Sequence, residues 1–117
     1  LGLGISAHSS FAGQRWENPA SLDDWAASIA SGDLPARRER PAEGRSAIGE
    51  LIMLGLRQSC GVSLDQLEDR FGRPTRESVE AEFASLIEDD LVSAAGDRRM
   101  LTEKGLLIAD SIMSRFF

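Results

Sequence analysis

Apolar residues recur along this chain mainly at helical spacing, broken by short stretches where small or alternating residues take over. Residues 1–19 open with small side chains, Gly2, Gly4, Ala7, Ser9 and Ser10, which reads as a strand running into an irregular loop. Ser21 then offers an N-cap, with Asp24 at the third helical position of a capping box. Leu22, Trp25 and Ile29 give that helix one apolar face, and Gly32 ends it. From Asp33 to Arg45, Pro35, Pro41, Gly44 and scattered charges read as a linker or an ordered wrap. A strongly apolar helix follows over about 46–59, with Ile48, Leu51, Ile52, Gly55 and Leu56 on one stripe, widened by Met53 and Leu54.

Ser63 opens a third helix with a complete start signal. Gln66 completes a capping box, Val62 and Leu67 are spaced for a hydrophobic staple, and Leu64, Leu67 and Phe71 form the inward face up to Gly72. Pro74 and Thr75 begin a fourth helix carrying Val79, Phe83, Leu86 and Ile87. Residues 91–94 and 99–101 are short strands joined through Gly96-Asp97, a hairpin-turn signal. Thr102 caps a last helix whose Ile108, Ala109, Ile112 and Phe116 face inward. The predicted class is mostly α with a short β-hairpin, in the order of a winged helix.

Composition narrows the function classes. The 117 residues are 42% hydrophobic and 27% charged, enough for one ordinary domain with a core. No apolar run approaches the ~20 residues that span a bilayer, so no transmembrane segment is expected, nor does a signal-peptide pattern open the chain. Cys60 is the single cysteine, which leaves no disulfide framework and points to a reducing, cytoplasmic setting. The net charge is −6, the wrong sign for a polyanion partner. The helix that would enter a DNA groove carries Glu77, Glu80, Glu82, Glu88, Asp89 and Asp90 against Arg76, so no nucleic acid is expected.

Local chemistry is sparse. Arg37, Arg38, Arg40 and Arg45 are the one basic concentration, but Asp33, Glu39 and Glu43 dilute it. A solvated linker is the plainer reading, against a site for propionate or phosphate groups. One histidine, His8, and one cysteine supply neither a zinc site nor a catalytic triad, so no metal ligands and no catalytic residues are assigned in this stretch. Trp16 and Trp25 read either as anchors docking the first helix or, with Arg15 and Asn18, as the edge of a site for a large planar ligand.

The first segment, Leu-Gly-Leu-Gly-Ile-Ser-Ala-His-Ser followed by Arg15-Trp16-x-Asn18, resembles the radical S-adenosylmethionine proteins of the oxygen-independent coproporphyrinogen III oxidase-like group. That group takes in the oxidase proper and a related haem chaperone. Gly32-Asp33-Leu34-Pro35 is similar to its G-x-x-P turn, and Glu50 through Arg57 to its E-x-x-x-x-G-L-R helix. Gly61-Val62, Phe71-Gly72 and Leu101-Thr102-x-x-Gly105 resemble its G-[IV], F-G and closing L-T-x-x-G elements.

The resemblance covers essentially the whole chain and implies a C-terminal fragment. Residues 1–20 would be the last strand and loop of a catalytic barrel that lies upstream, 21–45 a helix and wrap, and 46–117 a winged-helix-like accessory domain. It implies a lid or substrate-side role in porphyrin and haem metabolism, as oxidase or haem chaperone, with the fragment itself not catalytic. The implied cofactors of the parent are a [4Fe–4S] cluster and S-adenosyl-L-methionine, and its partner a tetrapyrrole, coproporphyrinogen III or haem. The family's C-x-x-x-C-x-x-C loop is absent, and Cys60 cannot replace three thiolates. By resemblance Ala7 and His8 would lie near S-adenosylmethionine, with His8 more typical of the chaperone-like branch. Arg15, Trp16 and Asn18 would approach substrate, while Glu50 and Arg57 hold their helix in place. The alternative is a standalone acidic winged-helix protein-interaction module.

Overall fold

The computed structural model describes residues 2–12, 14–35, 37–39 and 42–117, with the backbone alone for Arg38 and Glu39. Leu1 of the opening small-residue segment and Arg40 and Pro41 of the basic stretch lie outside the described residues. The chain divides into two compact units, 1–41 and 42–117.

The first unit is built on a hairpin. Strands β1 (His8–Phe11) and β2 (Gln14–Glu17) pair antiparallel, and Ala12 in the connection adopts φ 48°, the left-handed geometry of tight hairpin turns. Helix α1 (Leu22–Ser31) follows, capped as expected by the Ser21 side chain, which accepts from the Asp24 N–H, and ended by Gly32. A third strand, β3 (Arg37–Glu39), then adds antiparallel to β2, giving the order β1-β2-β3. The stretch that reads as a linker or an ordered wrap therefore holds a strand at its centre. Its composition hides this, because an edge strand gains its stability from a partner's backbone rather than from its own side chains. The apolar face expected of α1 forms but is not buried: Leu22 is 62% and Ile29 51% exposed.

The second unit has the winged-helix order. Helix α2 (Gly44–Leu56) starts two residues earlier than its periodicity predicts and buries Ala47, Ile52 and Leu56, whereas Leu54 faces out. Strand β4 (Val62–Ser63), α3 (Leu64–Phe71) and α4 (Arg73–Glu88) follow, then the hairpin β5 (Val92–Ala95) and β6 (Arg98–Leu101). The sheet order is β4-β6-β5, with Val62 opposite Arg99 and Val92 opposite Leu101. Ile52, Leu64, Leu67, Phe83, Leu86 and Ile112 are sealed from solvent at its centre.

The closing helix is not continuous. It forms α5 (Glu103–Leu106), α6 (Ala109–Met113) and a 3₁₀ turn over Ser114–Phe116. At the break the Ile108 N–H donates to Gly105 O at 3.2 Å, a tighter turn than the α-helix makes. The second segment thereby turns Ile112, Met113 and Phe116 into the core, while Ile108, expected inward, is 45% exposed. No helix among the described residues is long and apolar enough to cross a membrane.

Candidate functional site

The residues singled out from sequence cluster on the β1–β2 hairpin and the loop before it. Directly opposed residues of an antiparallel pair project to the same face, and neighbours along a strand to opposite faces. His8 stands opposite Glu17, which stands opposite Arg37, so imidazole, carboxylate and guanidinium form a cross-strand row. Arg15 pairs with Ser10 on that same face, diagonal to His8. Trp16 pairs with Ser9 and belongs to the other face. The hairpin thus brings His8 and Arg15 together and separates Arg15 from Trp16. The sequence alone does not single out Glu17 and Arg37 as companions of His8. The period-2 alternation identifies Glu17, but Arg37 needs the non-local pairing of β3.

The loop at residues 2–7 folds back on the strand ends. The Asn18 N–H donates to Ala7 O at 2.9 Å, and its Nδ2 donates to Gly4 O at 2.7 Å. The Ser6 N–H donates to Pro19 O at 3.0 Å, which holds Ser6 at φ 52°. The Gly2 N–H reaches Ser9 Oγ at 3.0 Å. Asn18 therefore clasps the loop that carries Ala7. Backbone held in the left-handed region by several bonds is a form of stored strain, which is common where a chain is shaped around a ligand.

In the second unit the polar side chains serve the fold. Arg76 on α4 donates to Asp65 at 2.7 Å and Glu68 at 2.8 Å on α3, and these bonds raise its already high pKa. Arg99 on β6 is buried and donates to Glu80 at 3.0 Å and to the Gly96 carbonyl at 3.0 Å. Ser63 donates to Asp97 at 2.7 Å while accepting from the Gln66 N–H, and this bond holds the Asp97 carboxyl below its usual range.

The motifs of this unit have the same character. Thr102 accepts from the Gly105 N–H at 3.0 Å and donates to Asp90 O at 2.8 Å. A Cβ on Gly105 would run into the Leu91 carbonyl oxygen, and one on Gly61 into that of Arg99. Arg57, at the end of α2, reaches Asp110 at 3.5 Å across two exposed side chains. Gly61, Arg57, Thr102 and Gly105 mark a fold rather than a reaction centre.

The fit to an iron–sulfur cluster is poor. Cys60 is exposed with its thiol toward Gln58 Oε1, and among the described residues no three His, Cys, Asp or Glu side chains could hold a metal ion. No chemical step is assigned to such a group within this chain.

Three comparisons bear on this architecture. The chain is 26% identical over 116 residues to the heme chaperone HemW of Bacillus subtilis (strain 168), a match spanning 99% of this chain and 31% of that protein. Its fold is similar to that of the coproporphyrinogen III oxidase HemN from Escherichia coli, described as a radical SAM enzyme, with a TM-score of 0.62 and 19% identity. That match covers 99% of this chain and 27% of the oxidase chain. The chain therefore spans less than a third of the length of either relative. Residues 45–108, more than half of the chain, match the model of the HemN C-terminal domain, and the chain belongs to that family.

Proposed function

We propose that these residues act as the accessory domain of a larger radical S-adenosylmethionine protein of porphyrin and haem metabolism, working on coproporphyrinogen III or carrying haem in the cytoplasm. The observation that carries the reading is the match to HemW and HemN over 99% of the chain, which includes the first-unit hairpin as well as the winged helix. The first unit agrees with a covering role: Leu3, Phe11, Leu22, Ile29 and Leu34 are all more than half exposed, apolar side chains available for packing on another body. Such a cover excludes water from reactive chemistry next to it.

In this role His8 and Arg15 form the ligand side of the hairpin, with Ala7 and His8 toward S-adenosylmethionine and the Arg15 guanidinium toward a tetrapyrrole carboxylate. Trp16 supports the strand from the opposite face. Asn18 is a positioning residue, since its Nδ2 is committed to Gly4 O.

The test is anaerobic reconstitution of the full open reading frame that carries these residues, beside the 117-residue chain alone. The larger protein is expected to form an iron–sulfur chromophore and cleave S-adenosylmethionine reductively, and the 117 residues to do neither. Arg15→Ala in the larger protein should weaken tetrapyrrole binding about tenfold, the loss of one charge-assisted contact. A larger protein with no cluster, or turnover by the short chain, overturns the reading.

A further inference from the structure

The sequence groups Arg45 with the basic run of residues 37–40, but the fold assigns it elsewhere. Arg45 stands in the first turn of α2, within the second unit, and no other described residue partners it. Together with Arg115, seventy residues later in the chain, it lines a cavity of about 430 Å³. Arg115 is only loosely held, with Nη1 at 3.5 Å from both Glu82 Oε1 and Ser85 Oγ. Ile48, Val79 and Phe116 make the apolar wall. The lining holds two guanidinium groups and one carboxylate, Glu82, so the cavity carries a net positive charge in a chain whose overall charge is −6.

We propose that this cavity binds a small organic carboxylate with a flat apolar body. The volume lies within the range of about 300–1,000 Å³ typical of small-molecule sites, enough for a two-ring frame. The planar, five-donor guanidinium matches a carboxylate in two-point contact, and Arg115 can leave its long contacts to Glu82 and Ser85 at little cost. A bare anion would meet the carboxylate of Glu82 and leave the Ile48, Val79 and Phe116 wall unused. A neutral apolar molecule would leave both guanidinium groups unused. The two features together select an amphipathic anion.

The test is titration of the full 117-residue chain, followed by amide chemical shifts, with 2-naphthoate, 2-naphthalenemethanol and inorganic phosphate in turn. Naphthoate should shift the amides of Arg45, Ile48, Val79 and Phe116 saturably and bind at least about tenfold more tightly than either of the others. Arg45→Gln and Arg115→Gln, both at exposed positions, should each weaken naphthoate about tenfold while leaving the remaining spectrum in place, and Arg45→Lys should recover part of the loss. Equal binding of the alcohol, equal binding of phosphate, shifts elsewhere in the fold, or no saturable shift would each overturn the proposal. Because the cavity belongs to the second unit alone, failure here leaves the proposed accessory role standing.

Discussion

Glycine 105 shows how one missing side chain can fix the local path of a chain. Its α-carbon lies against the Leu91 carbonyl, and the same residue receives the Thr102 cap. Gly105→Ala is therefore expected to lower stability by about 1–3 kcal/mol in urea unfolding, the usual range for forced overpacking. Leu107→Ala two residues on, at a site 86% exposed, should stay within about 0.5 kcal/mol. Asp97 makes a pH-dependent contribution. The Ser63 hydroxyl keeps its carboxyl below the usual range in the folded chain, so its contribution is complete above the unfolded value and fades as pH falls through the folded one. The stability gap between the native chain and Asp97→Asn should thus be constant near neutrality and narrow below about pH 4. A gap that is flat down to pH 2 would show that the Ser63 bond does not discriminate the charged carboxyl.

At the scale of elements, caps and ties decide where segments begin. The Leu64 N–H donates to Asp97 O at 3.0 Å, so the start of α3 and the wing turn are joined through both backbone and side chain. Ser63→Ala should cost about 1–2 kcal/mol, and less in an Asp97→Asn background, measured as a double-mutant cycle. Arg99 joins β6 to α4, yet its Nε is buried without a partner. Since Glu80 stays half-exposed and has Arg76 at 3.9 Å, Arg99→Met should be within about 1 kcal/mol of neutral, whereas Arg99→Ala also loses the packed stem. The sequence made the capped elements plain, because Ser21, Ser63 and Thr102 each act within three residues of themselves. It concealed β3, a three-residue Arg-Arg-Glu strand, and the two-residue β4, because both depend on partners far along the chain. It also concealed the break before Ile108, whose apolar spacing suits one long helix as well as two short ones. Of the site, the residue types were legible but their faces were not, since alternation acquires meaning only once β1 and β2 are known to pair.

The two units differ in how they are held together. The second has a sealed core around Phe83, which lies 4.8 Å from Phe116 ring to ring. The first has no buried residue among those whose burial is described, so its hairpin and helix rest on backbone bonds and caps. In hydrogen exchange the amides of β1, β2 and α1 should therefore exchange orders of magnitude faster than those of Ile52, Leu67 and Phe83. Comparable protection across both units would mean that the first is held by contacts beyond those described. In the larger protein proposed above, the same amides should slow, because burying Leu22 and Ile29 would tie local opening to the stability of the whole.

The alternation that sets Arg15 and Trp16 on opposite faces also ranks the kinds of genetic change this hairpin can absorb. A point substitution alters one side chain and leaves the others where they are. Loss of one residue within β2 shifts the register by a step, exchanging the two faces downstream of the lesion. Cross-strand alignment with His8 and Arg37 would then fail, although every chemically important side chain remained in the gene. For this part of the molecule, heredity must preserve count before identity.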